Sequence, residues 1–140
     1  MTQDYAGDIT VREAWGMLQQ DPEAVLVDVR SEAEWRYVGV PDLTSSDKQT
    51  VFVCWQSYPD MRHNSNFVSD LANAGVGPDR KVLLLCRSGA RSRDAAITLT
   101  AHGYQTCYNV AGGFEGPRDD ARHRGKTEGW KAAGLPWWQE

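Results

Sequence analysis

The stretch KVLLLCRSGARSRDAA, residues 81–96, ends an apolar run on a cysteine and follows it at once with serine, glycine and three arginines. Residues 82–86 are short, continuous and apolar, which predicts a strand buried on both faces. Residues 91–103 then carry a helical pattern that stops at Gly103. A buried strand that passes through a tight polar turn into a helix is half of a βαβ unit, and the rest of the chain repeats that grammar.

Working outward, DITVREAWGMLQQ opens with Thr10 and Glu13 at capping-box spacing, so a helix starts there. AVLVDVR (24–30) predicts a buried strand, and SEAEW (31–35) starts another helix with Ser31 and Glu34 as its capping box. TVFVCW (50–55) predicts a second buried strand. In NFVSDLANAG (66–75), Phe67, Leu71 and Ala74 share a helical face and Gly75 stops it. QTCYNVAGG (105–113) predicts a last strand ending in a glycine turn. Strands alternating with helices, with continuously apolar strands, predict an α/β fold: a three-layer α/β/α sandwich around a central, mostly parallel sheet of about five strands. The reading is one domain over 1–140, with residues 1–7 as an N-terminal tail and 117–127 as a polar inserted loop.

Composition narrows the function classes. The net charge is −4 and the pI is near 5.3, which argues against general nucleic-acid binding and makes the arginine cluster local. No apolar run approaches the roughly 20 residues that span a bilayer. The N-terminus lacks the basic start and apolar core of a secretory signal, so a cytoplasmic location is expected. The three cysteines have no pair spacing, so neither a disulfide framework nor a zinc site is expected. His63, His102 and His123 are scattered, without metal spacing.

In parallel α/β sheets, ligands bind outside the carboxyl ends of the strands, which is where Cys86 falls. A glycine-containing strand-to-helix turn can aim successive N–H groups into one concavity, and the following helix adds its positive end. Both favour a thiolate on Cys86 and an anionic substrate beside it. The alternative is a structural cysteine next to a solvated loop. Cys54 and Cys107 fall inside predicted strands and read as small core residues. His102, next to Gly103, reads as a helix C-terminal residue. His63 and His123 lie in polar links, either exposed or within reach of the site. Trp130, Trp137 and Trp138 read as a cover for the core, with a partner-binding patch as the alternative.

CRSGARS (86–92) resembles the active-site loop of the rhodanese sulfurtransferases. LVDVRSEAEW (26–35), with Asp28, Arg30, Glu34 and Trp35 in order, is similar to that family's first signature. NVAGGF (109–114) and GWKAAGLPW (129–137) resemble its C-terminal signature, so the likeness runs over roughly 8–138. There are departures. GVPDL (39–43) lacks the family's usual histidine. PRDDARHRGKT (117–127) separates two pieces that usually lie closer, and WQSYPDMRHNSN (55–66) is a long polar link. Both links should leave the carboxyl edge of the sheet.

The resemblance implies Cys86 as the catalytic cysteine, with Arg87, Ser88, Gly89, Ala90, Arg91 and Ser92 as the substrate-binding loop and Asp28 and Arg30 supporting it. It implies sulfur transfer from an anionic donor such as thiosulfate, through a Cys86 persulfide, to a thiol, cyanide or protein acceptor. No metal or organic cofactor is implied. Arg87 and Arg91 would either hold the donor's sulfonate or pair with a structural carboxylate, for which Asp28 is the first candidate. A persulfide carrier serving a protein partner is a second possibility. A cysteine phosphatase or arsenate reductase is a third, but its wider Cys-x5-Arg cradle would need an arginine where Ser92 stands; Arg91 gives the shorter Cys-x4-Arg.

Overall fold

The computed structural model describes residues 4–57, 62–116 and 129–139. In chain order they form β1 (Gly7–Ile9), α1 (Val11–Gln20), β2 (Ala24–Asp28), α2 (Glu32–Val38), β3 (Val40–Pro41), β4 (Val51–Phe52), β5 (Gln56–Ser57), β6 (Arg62–His63), α3 (Phe67–Asn73), β7 (Lys81–Leu85), α4 (Ala90–Ala101), β8 (Thr106–Val110) and β9 (Trp137–Trp138). Five strands make one sheet in the order β1-β8-β7-β2-β4, and every pairing in it is parallel.

Period-two alternation divides the strands between two cores. Val25, Val27, Val82, Leu84 and Cys107 face one side, where Phe67 and Leu71 of α3 and Ala95, Ala96 and Leu99 of α4 cover them. Ala24, Leu26, Leu83, Leu85 and Val110 face the other, under Val11, Ala14 and Leu18 of α1 with Phe114 and Trp130. The topology explains the sides. The path from β1 through α1 to β2 runs across the sheet in one direction, and the paths through α3 and α4 run back. Right-handed crossovers of opposite direction place their helices on opposite faces. Both capping boxes form: Thr10 with Glu13 at the start of α1, and Ser31 with Glu34 at the start of α2.

Several expectations shift. The N-terminal tail is shorter than 1–7, because Gly7 already pairs with Tyr108 and the Ala6 amide donates to the Cys107 carbonyl. Of the strand expected at 50–55, only Val51 and Phe52 pair with β2. Beyond them, Val53 and Trp55 donate to Asp28 and Val29. Donors two residues apart thus reach carbonyls one residue apart, so the ladder loses register at Cys54. Phe52 is exposed on this edge strand. The polar link that follows contains the antiparallel pair β5–β6, with Trp55 packed edge-on against His63 and Phe67.

At the C-terminal end, Trp130 is fully buried and its Nε1 donates to the Pro136 carbonyl at 2.7 Å. Trp137 and Trp138 instead pair with β3 and remain 40 % and 50 % exposed. Trp137 still lies edge-on against the buried Phe114 ring, at 6.1 Å between centroids, and so covers the core from the surface as expected. The loop at 117–127 lies outside the described residues, as does His123.

Candidate active site

β7 is the central strand of the sheet, so Cys86, one residue past its end, sits at the middle of the carboxyl edge. Its side chain is buried against the α3/α4 core. Arg87 and Ser88 are exposed, and Gly89 caps α4. The Gly89 amide donates to Cys86 Sγ at 3.1 Å. Gly89 takes φ 111°, and a Cβ there would lie 2.5 Å from the Ala111 carbonyl oxygen; no side chain fits.

The loop's carbonyls are held from the other side. Phe114 N–H donates to the Cys86 carbonyl at 2.8 Å, while the Glu115 and Gly116 amides donate to the Arg87 carbonyl. This approach explains the second glycine of the AGGF segment. A Cβ on Gly113 would fall 2.4 Å from the Arg87 oxygen. With its carbonyls tied to this segment, the loop turns the Gly89 N–H toward the sulfur.

The two arginines differ. Arg91 is part-buried and makes a bidentate pair with Glu34 of α2, Nη1 to Oε1 at 2.7 Å and Nη2 to Oε2 at 2.9 Å. Burial pushes the Glu34 carboxyl up, but the Arg91 bonds and charge and the Ser31 cap more than reverse this, leaving it lowered to about 2. Arg87 stays exposed. The carboxylate that meets a loop arginine is Glu34 and not the expected Asp28. Both Asp28 oxygens are taken by Arg30, whose Nε and Nη2 reach them at 2.7–3.2 Å. Arg30 is itself fully buried, donates to the Gly39 carbonyl at 2.8 Å and lies 4.2 Å over the Phe114 ring. Asp28 and Arg30 thus brace the segments that carry the loop, and their side chains make no hydrogen bond to residues 87–92.

Ser92 is fully buried, with its hydroxyl 3.2 Å from Cys86 Sγ and 2.6 Å from Asn109 Oδ1 of β8. Asn109 is the site residue that pattern reading passed over as a member of a strand. A buried amide inside the otherwise apolar TCYNV was the available signal. Burial pushes the Cys107 thiol up to about 11, as befits a core thiol, and raises that of Cys54, which was expected in the core but is not part of it. Cys54 is half-buried and lies past the end of β4. His102 Nδ1 lies 2.8 Å from the Thr98 carbonyl at the end of α4. Among the described residues, no group of three His, Cys, Asp or Glu could hold a metal ion, and no helix is long and apolar enough to cross a membrane.

A parallel three-layer sandwich with a glycine loop around a cysteine at the centre of its carboxyl edge defines a class of α/β domain built around a loop cysteine. The chain belongs to the rhodanese-like family: the model described as the STR4 middle domain matches residues 6–140. The crystal structure of Rv0390 from M. tuberculosis superposes with a TM-score of 0.88 at 51% identity, covering 97% of this chain and 99% of that one. The thiosulfate sulfurtransferase GlpE of Actinobacillus succinogenes is 31% identical over 92% of this chain and 87% of its own length. The polysulfide-sulfur transferase homodimer of Wolinella succinogenes superposes with a TM-score of 0.65 at 26% identity, covering 98% of this chain and 80% of that one. A sulfurtransferase-type function follows at the level of the family.

Proposed function

We propose that this protein moves a sulfane sulfur from a small anionic donor such as thiosulfate to a thiophilic acceptor through a persulfide on Cys86. The observation that carries this reading is the placement of Cys86 Sγ at the central strand's carboxyl end, 3.1 Å from an N–H of the loop that encloses it. The Cys86 thiolate attacks the donor's outer sulfur. A new S–S bond forms, the donor's S–S bond breaks, and sulfite leaves with the electron pair. The acceptor, a thiol, cyanide or a protein cysteine, then attacks the outer sulfur and Cys86 leaves as thiolate. The loop N–H groups serve the anionic sulfur as an oxyanion hole serves oxygen.

Because Glu34 occupies both terminal nitrogens of Arg91, exposed Arg87 is the loop cation that meets the donor's sulfonate, and Arg91 holds the loop. Ser88 and Ala90 complete the loop, and no cofactor takes part. Three free thiols among the described residues suit the reducing cytoplasm. The thiosulfate:cyanide assay tests the reading. The wild type forms thiocyanate, and Cys86→Ser drops the rate by at least about 10³-fold, since a hydroxyl without a base is a poor nucleophile. Retention of most of the rate in the serine variant sinks the proposal.

A further inference from the structure

Ser92 has one hydroxyl proton and two neighbours that can accept it, Cys86 Sγ at 3.2 Å and Asn109 Oδ1 at 2.6 Å. A hydroxyl donates to one of them at a time. Asn109 is 3% exposed on β8, and its Nδ2 donates to Asp8 Oδ1 on β1 at 3.0 Å. The same Asp8 oxygen accepts from the Tyr5 hydroxyl at 2.8 Å. A carboxylate only accepts, so the amide must turn its nitrogen to Asp8 and its oxygen to Ser92. Asn109 is therefore fixed as a competitor with Cys86 for the Ser92 proton.

Resting on the persulfide reading, we propose that Ser92 is a proton switch that follows the charge on Cys86 Sγ, and that Asn109 and Asp8 are positioning residues biasing Cys86 toward its sulfur-loaded state. In the thiolate the charge lies on Sγ. Ser92 then turns its proton to the sulfur and leaves the buried Asn109 oxygen without that donor, at a cost. Loading moves the charge. The thiolate pair forms the new S–S bond, sulfite departs with the electrons of the donor's broken S–S bond, and the negative charge comes to rest on the outer sulfur. Sγ is now an uncharged, two-coordinate sulfur, and Ser92 returns its proton to Asn109. Asn109 thus penalises the free thiolate and spares the persulfide. The balance of thiolate plus thiosulfate against persulfide plus sulfite is drawn toward the loaded side.

The test is an equilibrium, because a merely structural role does not move the ratio between two covalent states of a folded protein. At one fixed pH, the protein is equilibrated with sulfite and thiosulfate in varied proportion, and intact mass gives the proportion at which half is loaded. Asn109→Leu removes the competing acceptor at similar volume. The sulfite-to-thiosulfate ratio at half loading should fall by about fivefold, the size of one ordinary net hydrogen bond. In a Ser92→Ala background, where there is no proton to switch, Asn109→Leu should change nothing further. Asp8 is exposed, and Asp8→Ala releases the amide to turn its nitrogen toward Ser92, which lowers the ratio in the same direction. Should Asn109→Leu not fold, Asp8→Ala decides alone. A wild-type ratio in the deciding variant overturns the proposal, as does an equal fall with and without Ser92; neither outcome touches the transfer reading. A wild type that gains no sulfur from thiosulfate overturns that reading and this inference together.

Discussion

Cys86 and Cys107 are both buried, lie on or just past neighbouring strands and face the same core. They differ in where along the strand they stand. Cys107 lies within β8, where burial pushes its thiol up to about 11 and outweighs the lowering effect of the Thr100 hydroxyl beside it. Cys86 stands one residue beyond β7, where the backbone turns an N–H toward its sulfur and a buried hydroxyl lies beside it. Burial alone therefore does not rank the two. What separates them is the end of a central parallel strand, where strand amides give way to a loop and a helix N-terminus.

The largest effect should come from exchanging the two thiols. Set against the collapse expected of Cys86→Ser, Cys107→Ser should keep sulfurtransfer within about twofold, while a buried hydroxyl in place of the thiol costs about 1–3 kcal/mol in urea unfolding. Comparable losses of activity in both variants would erase the distinction. Next comes the loop. Gly89→Ala forces a side chain onto φ 111° and into the Ala111 oxygen. It should cost about 1–3 kcal/mol and lower the transfer rate at least about tenfold as the N–H leaves the sulfur. An alanine variant of wild-type rate and midpoint would show that the close approach is unimportant.

A smaller effect should come from the clamp on the loop. Glu34→Gln breaks a part-buried bidentate pair and should cost about 1–2 kcal/mol near neutral pH, between the values for exposed and fully buried pairs. The sign with pH follows from the lowered Glu34 carboxyl. Its contribution is present above the unfolded value of 4.5 and is lost as pH falls through about 2. Urea midpoints of wild type and Glu34→Gln should therefore converge between pH 4.5 and 2. A gap that is constant across that window would place the stabilising charge elsewhere. The smallest effect should be Arg87→Ala. The exposed guanidinium acts through solvent, so KM for thiosulfate should rise about three- to fivefold at low salt and approach wild type as salt screens it. A KM that does not respond to this change at low salt would remove Arg87 from donor binding.

Much of this architecture is legible in local sequence pattern. Apolar runs marked β2, β7 and β8, two capping boxes marked α1 and α2, and the cysteine before glycine and arginine marked the carboxyl edge. What stayed hidden depends on how elements lie against one another. Asp28 and Glu34 are six residues apart in one motif, and only the docking of α2 beside the loop gives Arg91 to Glu34 while Arg30 consumes Asp28. The Asp8–Asn109–Ser92 chain joins β1, β8 and the first turn of α4, which are close in space and far apart in sequence. Trp137 and Trp138 have core-like side chains, yet they pair at the surface with a two-residue strand. The expected strand at 50–55 frays because it is the edge strand and slips register at Cys54.

The central claim is that Cys86, alone among the three cysteines, carries transferred sulfur. Intact mass of the wild type after thiosulfate, followed by peptide mapping, tests it most directly. The account predicts a gain of one sulfur atom, confined to the peptide containing Cys86 and removed by cyanide. No gain, or a gain on Cys54 or Cys107, would contradict it.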